Sequence, residues 1–305
     1  MRYIQNNEKG KKCSVIGLGC MRIANSSLED IDTLIHTCLD EGINFIDEAD
    51  IYGGGKSEEL LGEVLKTNPN LREKLYIQSK CGIRDGYFDF SKEYILQAVE
   101  GSLTRLHTDH LDSLLLHRPD ILMEPDEVNE AFEILYQSGK VLSFGVSNTS
   151  IGQMDYLQKG LKQKITVNQM QMSCAHTVMI DGLLHEDMID TRSIKHDSGI
   201  IPYCQLHDIV LQVWSPLQKG YFEGIFFNDP QYKNLCEKLE EIGNKYNVGI
   251  DTIAYAWLLR IPCNIQVVVG TTNSEHIKNA AKASEILLTR KEWYEIYTSA
   301  GNKLP

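Results

Sequence analysis

What most constrains this chain is an alternation. Short apolar runs recur along its 305 residues, and nearly every one leads into a stretch with helical spacing. Residues 14–18, 43–47, 75–80, 111–117, 141–147, 165–170, 210–214 and 265–269 read as strands. Residues 29–41 form the clearest helix, with Ile31, Leu34, Ile35, Cys38 and Leu39 on one face and Gly42 as the stop. Ser57 is expected to cap the next helix, which runs to Lys66. Helices follow at 92–106, 125–138, 151–161, 230–246, 274–283 and 290–300. Parallel strands need a crossover of this size between them, so eight such units in one chain predict an α/β fold, a single (β/α)8 TIM barrel over residues 1–305. Residues 2–12 are expected to form a short N-terminal hairpin over the barrel floor, and 290–300 an extra C-terminal helix. Residues 173–209 carry no pattern that sets helix limits.

Composition narrows the partners. A net charge of −12 disfavours nucleic acid and anionic membrane as partners. The N-terminus lacks an apolar signal core, and no apolar run reaches membrane-spanning length. The eight cysteines include no Cys-x-x-Cys pair, so free thiols in a reducing, cytoplasmic setting are expected and no metal site is read.

In such a barrel the active site lies at the C-terminal ends of the strands. There the sequence puts Asp47, with Tyr52 five positions on, then Lys80, His117, Ser147-Asn148, and Asn168-Gln169. Tyr52 and Lys80 together suit proton transfer to a carbonyl oxygen. A free tyrosine has a pKa near ~10, and an ammonium about 4 Å away favours its phenolate by roughly 4 kcal/mol at an effective dielectric of ~20, before desolvation opposes it. Asp47 would hold Lys80 charged, and a neutral His117 would orient the carbonyl. Each residue has a plainer reading alone: Tyr52 as a rim tyrosine, Lys80 as an ion-paired lysine, Asp47 as a turn cap, His117 as a core histidine, Trp214 as core packing. Cys20 and Cys81 read as small packing residues, and Gly53-Gly54-Gly55 as a turn, since no P-loop lysine follows.

The same residues carry a resemblance. Phe45-Ile46-Asp47-Glu48-Ala49-Asp50-Ile51-Tyr52-Gly53, Ile77-Gln78-Ser79-Lys80 and Leu115-Leu116-His117-Arg118-Pro119 are similar to signatures of the aldo-keto reductase family. So is Gly139-Lys140-Val141 followed by Gly145-Val146-Ser147-Asn148. From Val15 onward the chain resembles that family, and the His-Arg-Pro-Asp run and C-terminal tail resemble its bacterial reductases. The resemblance implies an NADP-dependent reductase of small aldehydes or ketones, with Asp47, Tyr52, Lys80 and His117 as its catalytic tetrad. It implies that Gly19, Cys20, Met21, Ser147, Asn148, Gln169 and Trp214 border the nicotinamide. Ser215, Leu217 and Lys219 would border the pyrophosphate, and Gly270, Thr271, Thr272, His276 and Asn279 the adenosine. Arg22, Ile51, Cys81 and Arg118 would meet substrate, with Cys81 and Gly82 leaving the mouth roomy. Arg118 reads equally as an anion binder and as a partner for a surface carboxylate. The adenosine stretch lacks the usual basic cluster, Lys278 being the one nearby fixed cation, so NAD(H) stays open beside NADP(H). Two other functions compete: a Schiff-base aldolase using Lys80, and a cofactor-binding regulatory subunit with little turnover.

Overall fold

The computed structural model describes residues 1–5, 11–186, 188, 189, 191 and 199–304. Eight parallel strands close into a barrel: β1 (Ile16–Gly19), β2 (Phe45–Asp47), β3 (Tyr76–Cys81), β4 (Ser113–Leu116), β5 (Phe144–Ser147), β6 (Ile165–Gln171), β7 (Val210–Trp214) and β8 (Ile265–Val269). They pair in chain order, and β8 returns to β1 through Val267 opposite Ile16. Helices cover the outside, as the alternation predicts. Gly17 is dictated by close approach: a Cβ there would lie 2.1 Å from the Phe45 ring inside the barrel.

The floor is closed by an antiparallel pair, Tyr3–Ile4 with Cys13–Ser14. Ile4 packs on the inward side chains Phe45, Tyr76 and Val268, and on Leu115, Val167 and Val210. The expected hairpin is thus present at both ends, while its middle, 6–10, lies outside the described residues. Strand β1 starts two residues later than expected, because Cys13–Ser14 belongs to this pair. The extra C-terminal helix is Arg290–Ser299.

Three readings of the sequence need correction or completion. Ser57 is not a cap: helix Lys56–Thr67 begins after Gly55, and the Ser57 hydroxyl is buried against Cys20 and Glu48. Helix Ile250–Leu259 has no sequence signature of its own, since residues 252–259 are all buried and no polar face interrupts them. The unpatterned stretch contains two short helices, Val178–Leu184 and Ile200–Leu206; residues 187, 190 and 192–198 within it lie outside the described residues.

Candidate active site

Side chains alternate across a strand, so the barrel interior is built from every second residue. On β3 this turns Tyr76, Gln78 and Lys80 inward; on β2, Phe45 and Asp47. Register then stacks the polar ones: Asp47 lies beside Gln78 and Gln78 beside Ser113, while Gln169 lies beside Gln212 and Gln212 beside Gln266. A polar layer crosses the barrel just below its mouth. Gln78 donates to Asp47 Oδ1 at 2.7 Å and to Gln212 at 2.8 Å, and accepts from Ser113 at 2.8 Å. Gln169 reaches the same Asp47 oxygen at 3.0 Å. Gln212 donates on to Gln266, which ends on the Ser14 carbonyl at 2.7 Å. Buried amides are tolerable here because their partners are all present.

Above this layer the four expected residues meet. Lys80 is fully buried, and its ammonium uses three donors: Asp47 Oδ2 at 2.8 Å, the Glu48 carbonyl at 2.8 Å, and Tyr52 Oη at 3.0 Å. Burial alone would lower the Lys80 pKa; the Asp47 carboxylate and the Tyr52 hydroxyl overcome it and raise it. Tyr52 departs from the sequence argument. Its hydroxyl is pushed up to about 12, because burial outweighs the neighbouring ammonium and the Asp47 and Glu48 carboxyls add to burial. Tyr52 is therefore a hydroxyl at neutral pH. The His117 ring stands edge-on to Tyr52 with centroids 5.9 Å apart. Burial, then the Lys80 and Arg118 charges, hold its pKa well below 6.5, so the imidazole is neutral. Its Nδ1 is buried without a partner among the described residues. Placing the ring proton on Nε2 instead orphans only a lone pair there.

The tetrad opens into a cavity of about 790 Å³. Its walls include Gly19, Met21, Arg22, Ile51, Ser147, Asn148, Gln169, Trp214, Ser215, Leu217, Gly270, Thr271, Thr272 and His276, all expected from the sequence. Asn148 is held in the left-handed region (φ 56°) and accepts from the Trp214 indole at 3.1 Å while donating to Ser147 at 2.8 Å. At the far end Asn273 caps helix Ser274–Lys282.

Four expected contacts are not in the walls. Cys20 is fully buried beside Glu48, and Cys81 falls on the outward face of β3, one position off the inward set. Gly82 adds no room to the mouth, because the Phe90 ring fills the space a Cβ would take, at 1.9 Å. Lys219 is ion-paired with Asp229. Asn279 is bound to Asp251, which itself lines the cavity. Lys278 is paired with Glu275.

Sequence reasoning missed the loop after β7, where Gln218, Tyr221, Phe222 and Ile225 join the wall. Two adjacent aromatics bracketed by Gly220 and Gly224 were the available signal. Arg118 sits 5.7 Å from the Trp214 ring and 5.4 Å from the Tyr221 ring, with no ion pair among the described residues. Arg22 and Arg118 are the only lysine or arginine side chains among the described residues that line the cavity.

The model for the Aldo/keto reductase family matches residues 15–299. Oxidoreductase YdhF of Escherichia coli is 35% identical, the alignment covering 96% of this chain and 95% of that one. A 6-dehydroglucose reductase of Agrobacterium fabrum is 36% identical over 92% of this chain and 91% of its own. Among solved structures, an aldo/keto reductase from Klebsiella pneumoniae in complex with NADP and acetate superposes with a TM-score of 0.75 at 24% identity, covering 96% of this chain and 95% of that chain.

Proposed function

This chain belongs to the aldo/keto reductase family, and on that premise we propose that it is an NADP(H)-dependent reductase of aldehyde or ketone carbonyls, with Tyr52 as proton donor. The observation that carries this reading is the buried Asp47–Lys80–Tyr52 chain ending in a hydroxyl beside a neutral histidine at the cavity floor.

The cavity fits a nicotinamide dinucleotide. Ser147, Asn148 and Gln169 present amide-binding groups at the tetrad end, and Trp214 offers an aromatic face. At the other end a capped helix N-terminus at Asn273 lines the same cavity as Gly270, where a Cβ would meet nothing within 4 Å, leaving room for phosphate against backbone. Bound there, the reduced coenzyme supplies a hydride to the carbonyl carbon. The residues supply the rest. His117 Nε2–H donates to the carbonyl oxygen and holds it toward Tyr52. Tyr52 Oη gives its proton to that oxygen as negative charge develops. The Lys80 ammonium, fixed by Asp47, steadies the phenolate left behind. The same ammonium speaks against the aldolase reading, which needs Lys80 neutral and open to substrate.

Among the described residues, two cations without a carboxylate ion pair face the cavity, Arg22 and Arg118. They favour carbonyl compounds carrying a distal negative charge, and the Trp214, Tyr221 and Phe222 rings favour flat or aromatic ones. Coenzyme preference for NADPH is modest, since Asp251 lines the cavity and neither arginine lies in the 270–276 stretch. The test is oxidation of NADPH and NADH against a panel of aldehydes, ketones and dicarbonyls. Wild type turns over and Tyr52→Phe loses about 10²–10⁴ of the rate while still binding coenzyme. Binding without turnover in the wild type would favour a regulatory subunit, and full turnover by Tyr52→Phe would end the proton-donor reading.

A further inference from the structure

Two carboxyl groups outside the tetrad lie in the barrel wall beside it. Glu48 and Glu58 are both fully buried. Glu58 is ion-paired: one oxygen accepts the Ser79 hydroxyl at 2.5 Å, the other accepts Arg105 Nε at 2.8 Å and its terminal nitrogen at 2.7 Å. Among the described residues Glu48 has no cation of its own. Lys80 contacts the backbone carbonyl of Glu48, and its ion pair is with Asp47. Lys80 therefore balances Asp47, Arg105 balances Glu58, and Glu48 is left over. An ionised carboxylate in that position is costly.

The hydrogen bonds give the same answer independently. Ser57 Oγ lies 2.8 Å from the Cys20 carbonyl and 3.0 and 2.8 Å from the two Glu48 oxygens. A hydroxyl has one proton to give, and a carbonyl only accepts. Were Ser57 to donate to Glu48, bare lone pairs of Ser57 and Cys20 would face each other across 2.8 Å. If Ser57 donates to Cys20, Glu48 must donate to Ser57, which only the carboxylic acid can do. That arrangement satisfies all three groups.

We propose that Glu48 works as a neutral carboxylic acid, a positioning residue whose proton keeps a second negative charge away from the Lys80–Tyr52 pair. The proposal rests on Tyr52 being the proton donor. It agrees with the electrostatics: burial first, then the Glu58 charge, push the Glu48 carboxyl up to about 8. The groups around it are Cys20 after β1, Asp47 and Tyr52 on its own segment, Ser57 and Glu58 on helix Lys56–Thr67, and Lys80 on β3, with Arg105 behind Glu58. When Glu48 loses its proton, its charge joins that of Asp47 in raising Tyr52. Alcohol oxidation, which needs the phenolate, is then delayed to higher pH.

Two measurements on the full chain test this. At about pH 7 the infrared difference spectrum between wild type and Glu48→Gln shows a protonated-carboxyl C=O band, which fades as wild type is taken past about pH 9. In the reverse reaction Glu48→Gln rises at lower pH than wild type and oxidises alcohol about threefold faster near pH 9.5. Absence of the band, or superimposable pH profiles, overturns the proposal. If Glu48→Gln does not fold, Ser57→Ala replaces it: removing the proton's acceptor shifts the band, and an unmoved band is equally fatal. The band needs no turnover, so a chain lacking reductase activity would sink the functional reading and still leave the Glu48 proton to be judged.

Discussion

Replacing Lys80 with methionine separates the proposed chemistry from the fold. The side chain keeps its length and loses three hydrogen bonds, to Asp47, the Glu48 carbonyl and Tyr52. Removing one partner of a buried ion pair costs about 3–5 kcal/mol, because the other charge stays buried. Here the lower end applies, since Asp47 Oδ1 keeps its bonds from Gln78 and Gln169 and only Oδ2 is orphaned. A loss of about 3 kcal/mol lowers the Tm by on the order of 5 °C in a domain of 305 residues. The effect on chemistry is larger. Tyr52 loses the cation that opposes its burial, and the proton step slows by a factor of about 10²–10⁴. Coenzyme affinity holds, because Lys80 is fully buried beneath Tyr52 and forms no part of the cavity wall. Single-turnover reduction, thermal unfolding and a coenzyme titration followed by tryptophan fluorescence measure the three quantities. A folded Lys80→Met enzyme reducing carbonyls within about tenfold of wild type would refute the role given to the Asp47–Lys80–Tyr52 chain.

Three further outcomes follow from the geometry. Arg118→Gln raises KM for acidic carbonyl substrates and leaves neutral ones alone, measured by paired steady-state kinetics; equal effects on both would make Arg118 merely a support for Trp214 and Tyr221. His276→Arg tightens NADPH more than NADH by adding a charge-assisted bond at the end lined by Thr271 and Thr272, and Kd values that move together would place the 2′-phosphate elsewhere. Glu292 supplies a pH test remote from the site. Burial opposes its ionisation, but Lys245, the Thr289 backbone and hydroxyl, and Tyr246 hold its carboxyl down at about 2. A lowered folded-state pKa stabilises above the ordinary carboxyl value and is lost as pH falls from about 4.5 toward about 2. The Tm gap between wild type and Glu292→Gln is therefore widest above about pH 5 and closes in acid, and a constant gap would refute the linkage.

The sequence by itself determined the architecture and the order of the tetrad. Strand and helix periods are local properties, so eight βα units could be read directly, and a barrel then had to place Asp47, Lys80 and His117 at one mouth. Tertiary structure decided everything that depends on which neighbour a side chain meets. A one-residue offset on β3 turns Lys80 inward and Cys81 outward, so a residue adjacent to the tetrad contributes no wall. Whether burial or the ammonium governs Tyr52 is a balance of opposed terms that spacing cannot weigh, and burial wins. Helix Ile250–Leu259 is not legible in the sequence, because a segment buried all round has no polar face to give it a period. Ser57 looked like a cap from its position and became the partner of Glu48 and Cys20, while Glu58 found Arg105 across 47 positions of sequence. The charge count that leaves Glu48 with its proton exists only once β1, β2, β3 and two helices are packed together, since no local pattern records which carboxylate each cation will reach.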